Sequence, residues 1–125
     1  MDTRTQESLA RDEVGTLISS NRVAGTDVYN TRGDHLGSID HLMIDKLSGQ
    51  VGYAVMSFGG FLGIGEKYHP LPWGVLDYEP AKGGYVVDLD KKTLESAPIY
   101  AGNDPYAWDD RGWRGRVDQY YRPYL

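Results

Sequence analysis

Apolar residues recur along this chain in short runs of period two, separated by turns that carry glycine, and that pattern predicts strands. Val23 to Tyr29 reads as a first strand. The turn Asn30–Asp34, in which Gly33 is free to take a positive φ, leads into a second strand over Leu36–Asp45. There Ile39, His41 and Met43 alternate onto one face, and Leu42 and Ile44 onto the other. Both faces therefore carry apolar groups, and one is left for a helix, an arm or a second chain. Lys46–Gln50 is a tight hairpin loop around Gly49. Val51–Phe58 returns as the most hydrophobic strand, its small Gly52 and Ala54 set against bulky Val51, Tyr53 and Val55, an alternation that suits a narrow curved barrel. Lys67–Trp73 is extended, and Pro70 and Pro72, which cannot donate to a ladder, confine it to a sheet edge or a barrel seam. Val75–Tyr78 makes a short strand. Tyr85–Asp90 makes the last one, with Tyr85, Val87 and Leu89 inward and Asp88 and Asp90 wet.

The flanks read differently. Residues 1–15 form a polar arm, with a frayed helix over Glu7–Glu13. From Thr16 the pattern turns strand-like at Leu17 and Ile18, and Ser19-Ser20-Asn21 reads as a turn. Past the last strand, Asp90 is placed to cap a short helix over Lys91–Ser96 that Pro98 ends. Residues 101–125 hold Trp108, Trp113, Tyr120, Tyr121 and Tyr124 among glycines, aspartates and arginines, too few aliphatic residues for a core of their own, with a short helix near Gly115–Tyr121. The organisation expected is one domain over 16–100 between an N-terminal arm and an aromatic, arginine-rich extension.

The segment Gly59-Gly60-Phe61-Leu62-Gly63-Ile64-Gly65 invites comparison with a phosphate-binding loop. Gly60 and Gly65 have the spacing, but Glu66 stands where the cation must be, and Pro70 and Pro72 exclude the helix that should follow. A steric role fits better. The glycines let a strand turn sharply while Phe61, Leu62 and Ile64 fold back as a plug, with Pro70, Pro72 and Trp73 fixing the chain beyond.

These elements, taken in order, carry a resemblance. Val28-Tyr29, Gly33, Leu36-Gly37-Ser38-Ile39-Asp40, Ile44-Asp45, Ser48-Gly49-Gln50-Val51, Tyr53-Ala54-Val55, the run Gly59 to Lys67 and Pro70-Leu71-Pro72-Trp73 together resemble the PRC-barrel family. That family is named for the cytoplasmic part of the photosynthetic reaction-centre H subunit, and it includes the C-terminal domain of a ribosome-maturation factor. The resemblance runs from about Leu17 to Tyr100, and the tail looks like extensions of stand-alone bacterial members. It implies a mainly β fold, a small six-stranded antiparallel barrel, that works by binding other macromolecules and has no catalytic residues or cofactor to carry over.

Composition narrows the chemistry. The net charge of −5 leaves no basic footprint for a general nucleic-acid binder, and with no cysteine there is neither a disulfide framework nor a thiolate site. Residues 1–15 lack the pattern of a secretory signal, and no apolar stretch approaches the roughly 18 residues of a membrane span. A cytoplasmic protein is therefore expected, with peripheral attachment to a membrane complex left open. In that setting Arg32-Gly33-Asp34 is read as a turn. His35 and His41 lie about 20 Å apart along an extended strand, too far for one metal ion, and His69 reads as a hydrogen-bonded rim or core residue. Ser57, His69 and Asp77 have no local signature of a triad, and the acid pairs Asp40/Asp45, Asp88/Asp90 and Asp109/Asp110 fall on wet faces or turns. No enzyme, metal or cofactor is expected.

The aromatic tail has two readings. It packs on its own barrel, or it is a contact surface, since Tyr, Trp and Arg dominate interface energetics. On the second reading the interaction residues are Leu42, Ile44, Trp108, Trp113, Arg116, Tyr120 and Tyr121, and the assembly is a homodimer. The function expected is an interaction module for a protein partner of unknown identity. Alternatives are a small-ligand sensor with its pocket under Gly59–Gly65, and, from the resemblance, a ribosome-associated or RNA-processing factor.

Overall fold

The computed structural model describes residues 16–58, 67–100 and 107–125. The expectations for the arm over 1–15 and for Gly59, Gly60, Phe61, Leu62, Gly63 and Gly65 fall outside those residues. Strands β1 (Asp27–Asn30), β2 (His35–Ile44), β3 (Val51–Phe58), β4 (Lys67–Pro72), β5 (Asp77–Glu79) and β6 (Gly84–Val87) form one sheet in the order β4-β3-β2-β1-β6-β5. Helices α1 (Ser20–Val23), α2 (Lys91–Glu95) and α3 (Arg111–Tyr121) flank it.

Two features of the expected antiparallel barrel are corrected. β1 and β6 pair in parallel, Val28 opposite Tyr85 and Asn30 opposite Val87, and no ladder joins β4 to β5 among the described residues. Both follow from the path of the chain. β1 to β4 run as an antiparallel meander, and a single 3-10 turn, Trp73–Val75, carries the chain from the β4 edge to β5, which hairpins into β6. Followed across the sheet, β4 and β5 point the same way, so they behave as one run bent at Trp73 and cannot close the sheet as antiparallel neighbours. The same turn makes the sheet curl. Pro72 and Asp77 are five residues apart and span at most about 18 Å, whereas the edges of six flat strands would lie about 24 Å apart.

The core fills the concave face with Val28, Leu36, Ile39, Ala54, Met56 and Leu71. A bulge at Asp40 decides which β2 residues reach it. Ile39 pairs with Met56 and His41 with Val55, so Asp40 has no partner and the alternation inverts beyond it. Ile39 and Leu42 therefore share the core face, while His41 and Met43 turn outward. This corrects the face assignment made from an unbroken period of two. Leu42 packs against the core, and Ile44 remains half exposed.

The turns follow their sequences. Gly33 (φ +90°) and Gly49 (φ +78°) take the left-handed conformation. Asn30, buried, accepts the backbone N–H groups of Arg32 and Asp34 at 3.0 and 2.9 Å, which fixes Arg32-Gly33-Asp34 as a hairpin turn. Pro70 and Pro72 lie on the edge strand β4, where their missing amides fall on the side away from β3, and the Tyr100 N–H bonds the Tyr68 carbonyl on that free side at 2.7 Å.

The N-terminal expectations change. Thr16–Ser19 form no strand, because β1 begins only at Asp27, and residues Ser20–Val23 make one helical turn that buries Val23. Gly25 (φ +86°) then donates to the Ile39 carbonyl at 2.6 Å, delaying the strand. At the other end Asp90 caps α2 as expected, its carboxylate accepting the Thr93 N–H at 2.7 Å.

Helix α3 is longer than its sequence suggests. Gly112 and Gly115 each weaken it by about 1 kcal/mol relative to alanine, and an isolated helix of 11 residues is marginal. Asp110 compensates at the N-terminus by accepting the Trp113 N–H at 3.1 Å. Docking supplies the rest. Trp113, Val117, Tyr120 and Tyr121 form one stripe that packs against the core cluster, and the helix lies against β4.

Candidate functional site

Tyr53 follows Gly52 and precedes Ala54, so it points away from the concave core, and it is where the tail attaches. Its hydroxyl donates to Asp118 of α3 at 2.6 Å, and its ring lies 5.2 Å from Trp108. Burial, and then the Asp118 carboxylate, push the Tyr53 phenol above its ordinary pKa. Trp108 continues the cluster to Trp113 at 5.0 Å and to Tyr100 at 5.3 Å, and Tyr100 reaches His41 at 6.3 Å. Edge and tilted contacts of this kind stabilise by about 0.5–1.5 kcal/mol each beyond burial. The tail thus forms a second, aromatic layer on the outer face of β2 and β3.

Where that layer stops, a groove of about 490 Å³ opens between the β2–β3 hairpin and Trp108. Met43, Ile44, Gly52, Tyr53 and Trp108 make its floor and wall, and Asp45, Lys46, Leu47 and Arg114 line it too. The hairpin tip stands in solvent: Leu47 is 96% exposed and Ile44 51%. Nothing in the turn itself requires Leu47, because the loop is held by Asp45, whose carboxylate accepts the Leu47 and Ser48 N–H groups at 2.9 and 2.8 Å. Those amides hold the Asp45 carboxyl below its usual pKa.

The residues expected at an interface are therefore divided. Trp108 lines the groove, Ile44 borders it, and Arg116 is exposed on the outer side of α3. Leu42 is turned to the core. Tyr121 is completely buried, Trp113 belongs to the aromatic layer, and the Tyr120 hydroxyl donates to the Thr93 carbonyl of α2 at 2.6 Å. Trp73 packs its ring 5.6 Å from Tyr85 inside the sheet. Leu47 was missed by the sequence reading, although a lone large aliphatic residue in a tight polar hairpin loop was a signal.

The candidate catalytic groups do not meet. Ser57 faces away from His69, because Ser57 is paired with Tyr68 while His69 is paired with Met56, and its hydroxyl lies 3.4 Å from that of Ser38. His35 contacts Asp27 at 2.9 Å and His41 contacts Asp40 at 2.7 Å, each at a separate exposed place. Among the described residues no group of three His, Cys, Asp or Glu side chains could hold a metal ion, and no helix is long and apolar enough to cross a membrane.

A profile of the PRC-barrel domain matches residues 15–94. The chain belongs to the PRC-barrel family. Among solved structures this PRC-barrel protein is similar to one from Pseudomonas aeruginosa named as a 16S ribosomal RNA processing protein, RimM, with 23% identity and a TM-score of 0.39. The likeness covers 60% of this chain and 45% of that one, so the PRC-barrel chain spans less than half of the protein it is compared with. No curated protein matches.

One buried polar side chain of the PRC domain carries a measurable consequence. His69 is fully buried, in edge contact with Phe58 at 5.5 Å, so of the two places expected for it, rim or core, it takes the core, and neither ring nitrogen makes the well-formed hydrogen bond that was expected there. Burial pushes its pKa below the ordinary 6.5, opposed only by the Pro98 carbonyl. The unfolded chain therefore takes up the proton first as pH falls. Stability contributed by neutral His69 is complete above pH 6.5 and is lost below it. The melting temperature of the protein should fall as the pH drops below 6.5, and His69→Leu should flatten that slope. Equal slopes in the two proteins would show that His69 is not the group being charged.

Proposed function

We propose that this PRC-barrel protein is a non-enzymatic interaction module that binds a protein partner through the outer face of the β2–β3 hairpin. The observation that carries the reading is the exposure of Ile44 and Leu47 at the mouth of an apolar groove whose wall is the protein's own C-terminal segment. Large aliphatic side chains in solvent beside a built aromatic wall are expensive to keep unless something covers them. The tail then has both of the roles its sequence allowed, since Tyr121 and Val117 anchor it and Trp108 is presented by it. A homodimer through the same face is one form of this association, with Ile44 and Leu47 as its contact residues in place of Leu42.

Immobilised full-length protein, compared with its Leu47→Glu variant, tests the reading in lysate. Leu47 is 96% exposed, so the variant should melt like the parent yet lose the protein it retains. Identical retention by both would refute the hairpin face. Retention of a metabolite in place of a protein would favour a ligand-sensing groove, whose volume lies within the roughly 300–1,000 Å³ of small-molecule sites.

A further inference from the structure

We infer that His69 and the segment Ala97–Tyr100 form a pH-sensitive latch, which on protonation of His69 frees the aromatic wall of the groove while the sheet stays folded. The path of the chain joins the two places. Leu94 of α2 is buried in the core, Tyr100 lies in the aromatic layer on the outer face, and Ala97–Tyr100 carry the chain between them across the edge of β4. On that edge the Tyr100 N–H bonds the Tyr68 carbonyl at 2.7 Å, and the Pro98 carbonyl lies beside the next residue of β4, His69. One short strap thus links the inner face to the outer. The two boundaries of β4 differ in strength. Every residue from Lys67 to Pro72 is paired with β3, whereas among the described residues an isolated bridge, Tyr68 opposite Tyr100, joins the strand to the strap. Pro98 has no amide to add to that bridge, and Ile99 is half exposed.

A proton on His69 is poorly accommodated while the strap is closed. The side chain is fully buried, and an imidazolium needs an acceptor for each of its two N–H groups. Among the described residues the groups around it do not supply them. On its own strand Lys67 is a cation that opposes a second charge, and on β3 Met56 and Phe58 carry none. The strap brings the Pro98 carbonyl, which favours the charged form yet makes no well-formed hydrogen bond with either nitrogen. Helix α3, which lies against β4, brings Val117 and the Tyr121 phenol into the core, and burial keeps that phenol neutral. Helix α2 contributes Leu94, with Lys91, Lys92 and Glu95 exposed to solvent. Water must therefore meet the charge, and the strap is the weaker of the two boundaries that could admit it. Once the bridge to Tyr68 opens, Tyr100 withdraws from Trp108 and Trp113, which it contacts at 5.3 and 6.2 Å, and the groove wall loosens. Val117 and Tyr121 still hold α3 to the core. As a control on partner binding the latch rests on the interaction reading above; as a property of the fold it stands apart from it.

Hydrogen exchange of the full-length, nitrogen-15-labelled protein, corrected for the intrinsic pH dependence of exchange, tests the latch. Burial lowers the His69 pKa in the closed state below the 6.5 of an exposed ring, so opening takes up a proton and grows as pH falls. The opening equilibrium read at the Tyr100 amide should rise roughly tenfold per pH unit below 6.5, the slope for one proton, while the Ala54 and Met56 amides of β3 stay far better protected. The Trp108 indole N–H, buried without an acceptor, should follow with the same slope. His69→Leu should abolish it. His41 is the competing trigger, because it contacts Asp40 and its ring lies 6.3 Å from that of Tyr100. His41→Phe, which keeps a ring there without the titration, should leave the slope in place. A Tyr100 amide whose opening ignores pH, or keeps its slope in His69→Leu, would overturn the latch. So would loss of the slope in His41→Phe, or a common opening equilibrium for Tyr100 and Ala54, which is global unfolding. Should His69→Leu not fold, the parent and His41→Phe still decide between the two histidines. A Trp108 indole N–H insensitive to pH would overturn the link to the groove. Failure of the interaction reading shows elsewhere, in Leu47→Glu retaining the same protein as the parent, and leaves these exchange slopes untouched.

Discussion

Replacing Tyr121 with alanine is expected to lower the stability of the protein by about 3–5 kcal/mol, the range for emptying a buried aromatic site. Tyr121 is fully buried in a core cluster that also holds Val117 of its own helix and Leu94 of α2, so its removal opens a cavity at the junction of tail and domain. With a typical margin of roughly 5–15 kcal/mol, that loss leaves a chain close to unfolding at physiological temperature. Phenylalanine should do the reverse. The Tyr121 hydroxyl has no hydrogen-bond partner, and burial raises its pKa so that it stays neutral. Deleting it relieves a desolvation cost and should raise stability by about 1 kcal/mol. Denaturant titrations of both variants check the pair. Equal midpoints for Tyr121→Ala and the parent would mean that the tail is not anchored there.

Gly37→Ala is expected to cost about 3 kcal/mol, although it adds a single methyl group. Gly37 is paired with Val28 on one side and Phe58 on the other, and a Cβ built there would lie 1.9 Å from the Ser57 carbonyl oxygen. The obstacle is backbone of the neighbouring strand, so relief requires β2 and β3 to separate, which is why the upper end of the overpacking range applies. Gly52, in the adjacent strand, is the control. Its nearest atom to an added Cβ is the Met43 carbonyl oxygen at 3.7 Å, so Gly52→Ala should melt within a degree or two of the parent. Equal melting of the two variants would contradict the close approach at Gly37.

Much of the strand order was legible because each turn announced itself. Gly33 and Gly49 stand where the chain needs positive φ, Pro70 and Pro72 mark an edge strand, and Asp90 marks a helix start. What escaped notice depends on partners distant in sequence. The bulge at Asp40 leaves no residue type behind it, yet it moves Leu42 to the core. The parallel pairing of β1 with β6 depends on where the chain re-enters the sheet after Trp73. Helix α3 was underestimated because Gly112 and Gly115 hide a stripe that Trp113, Val117, Tyr120 and Tyr121 nonetheless spell out. The groove was least legible of all, since Tyr53 meets Asp118 across 65 residues and Trp108 becomes a wall only once that contact forms.

The function proposed for this PRC-barrel chain requires its C-terminal helix to be part of the folded unit, because the groove wall exists only while the helix is docked. Native-state hydrogen exchange of the backbone amides measures this directly. The amides of Val117 and Tyr121 should exchange as slowly as those of Ala54 and Met56 in β3, through the same global unfolding. Exchange at those two helix positions that is orders of magnitude faster than in β3 would show a tail that undocks on its own, and would contradict the account.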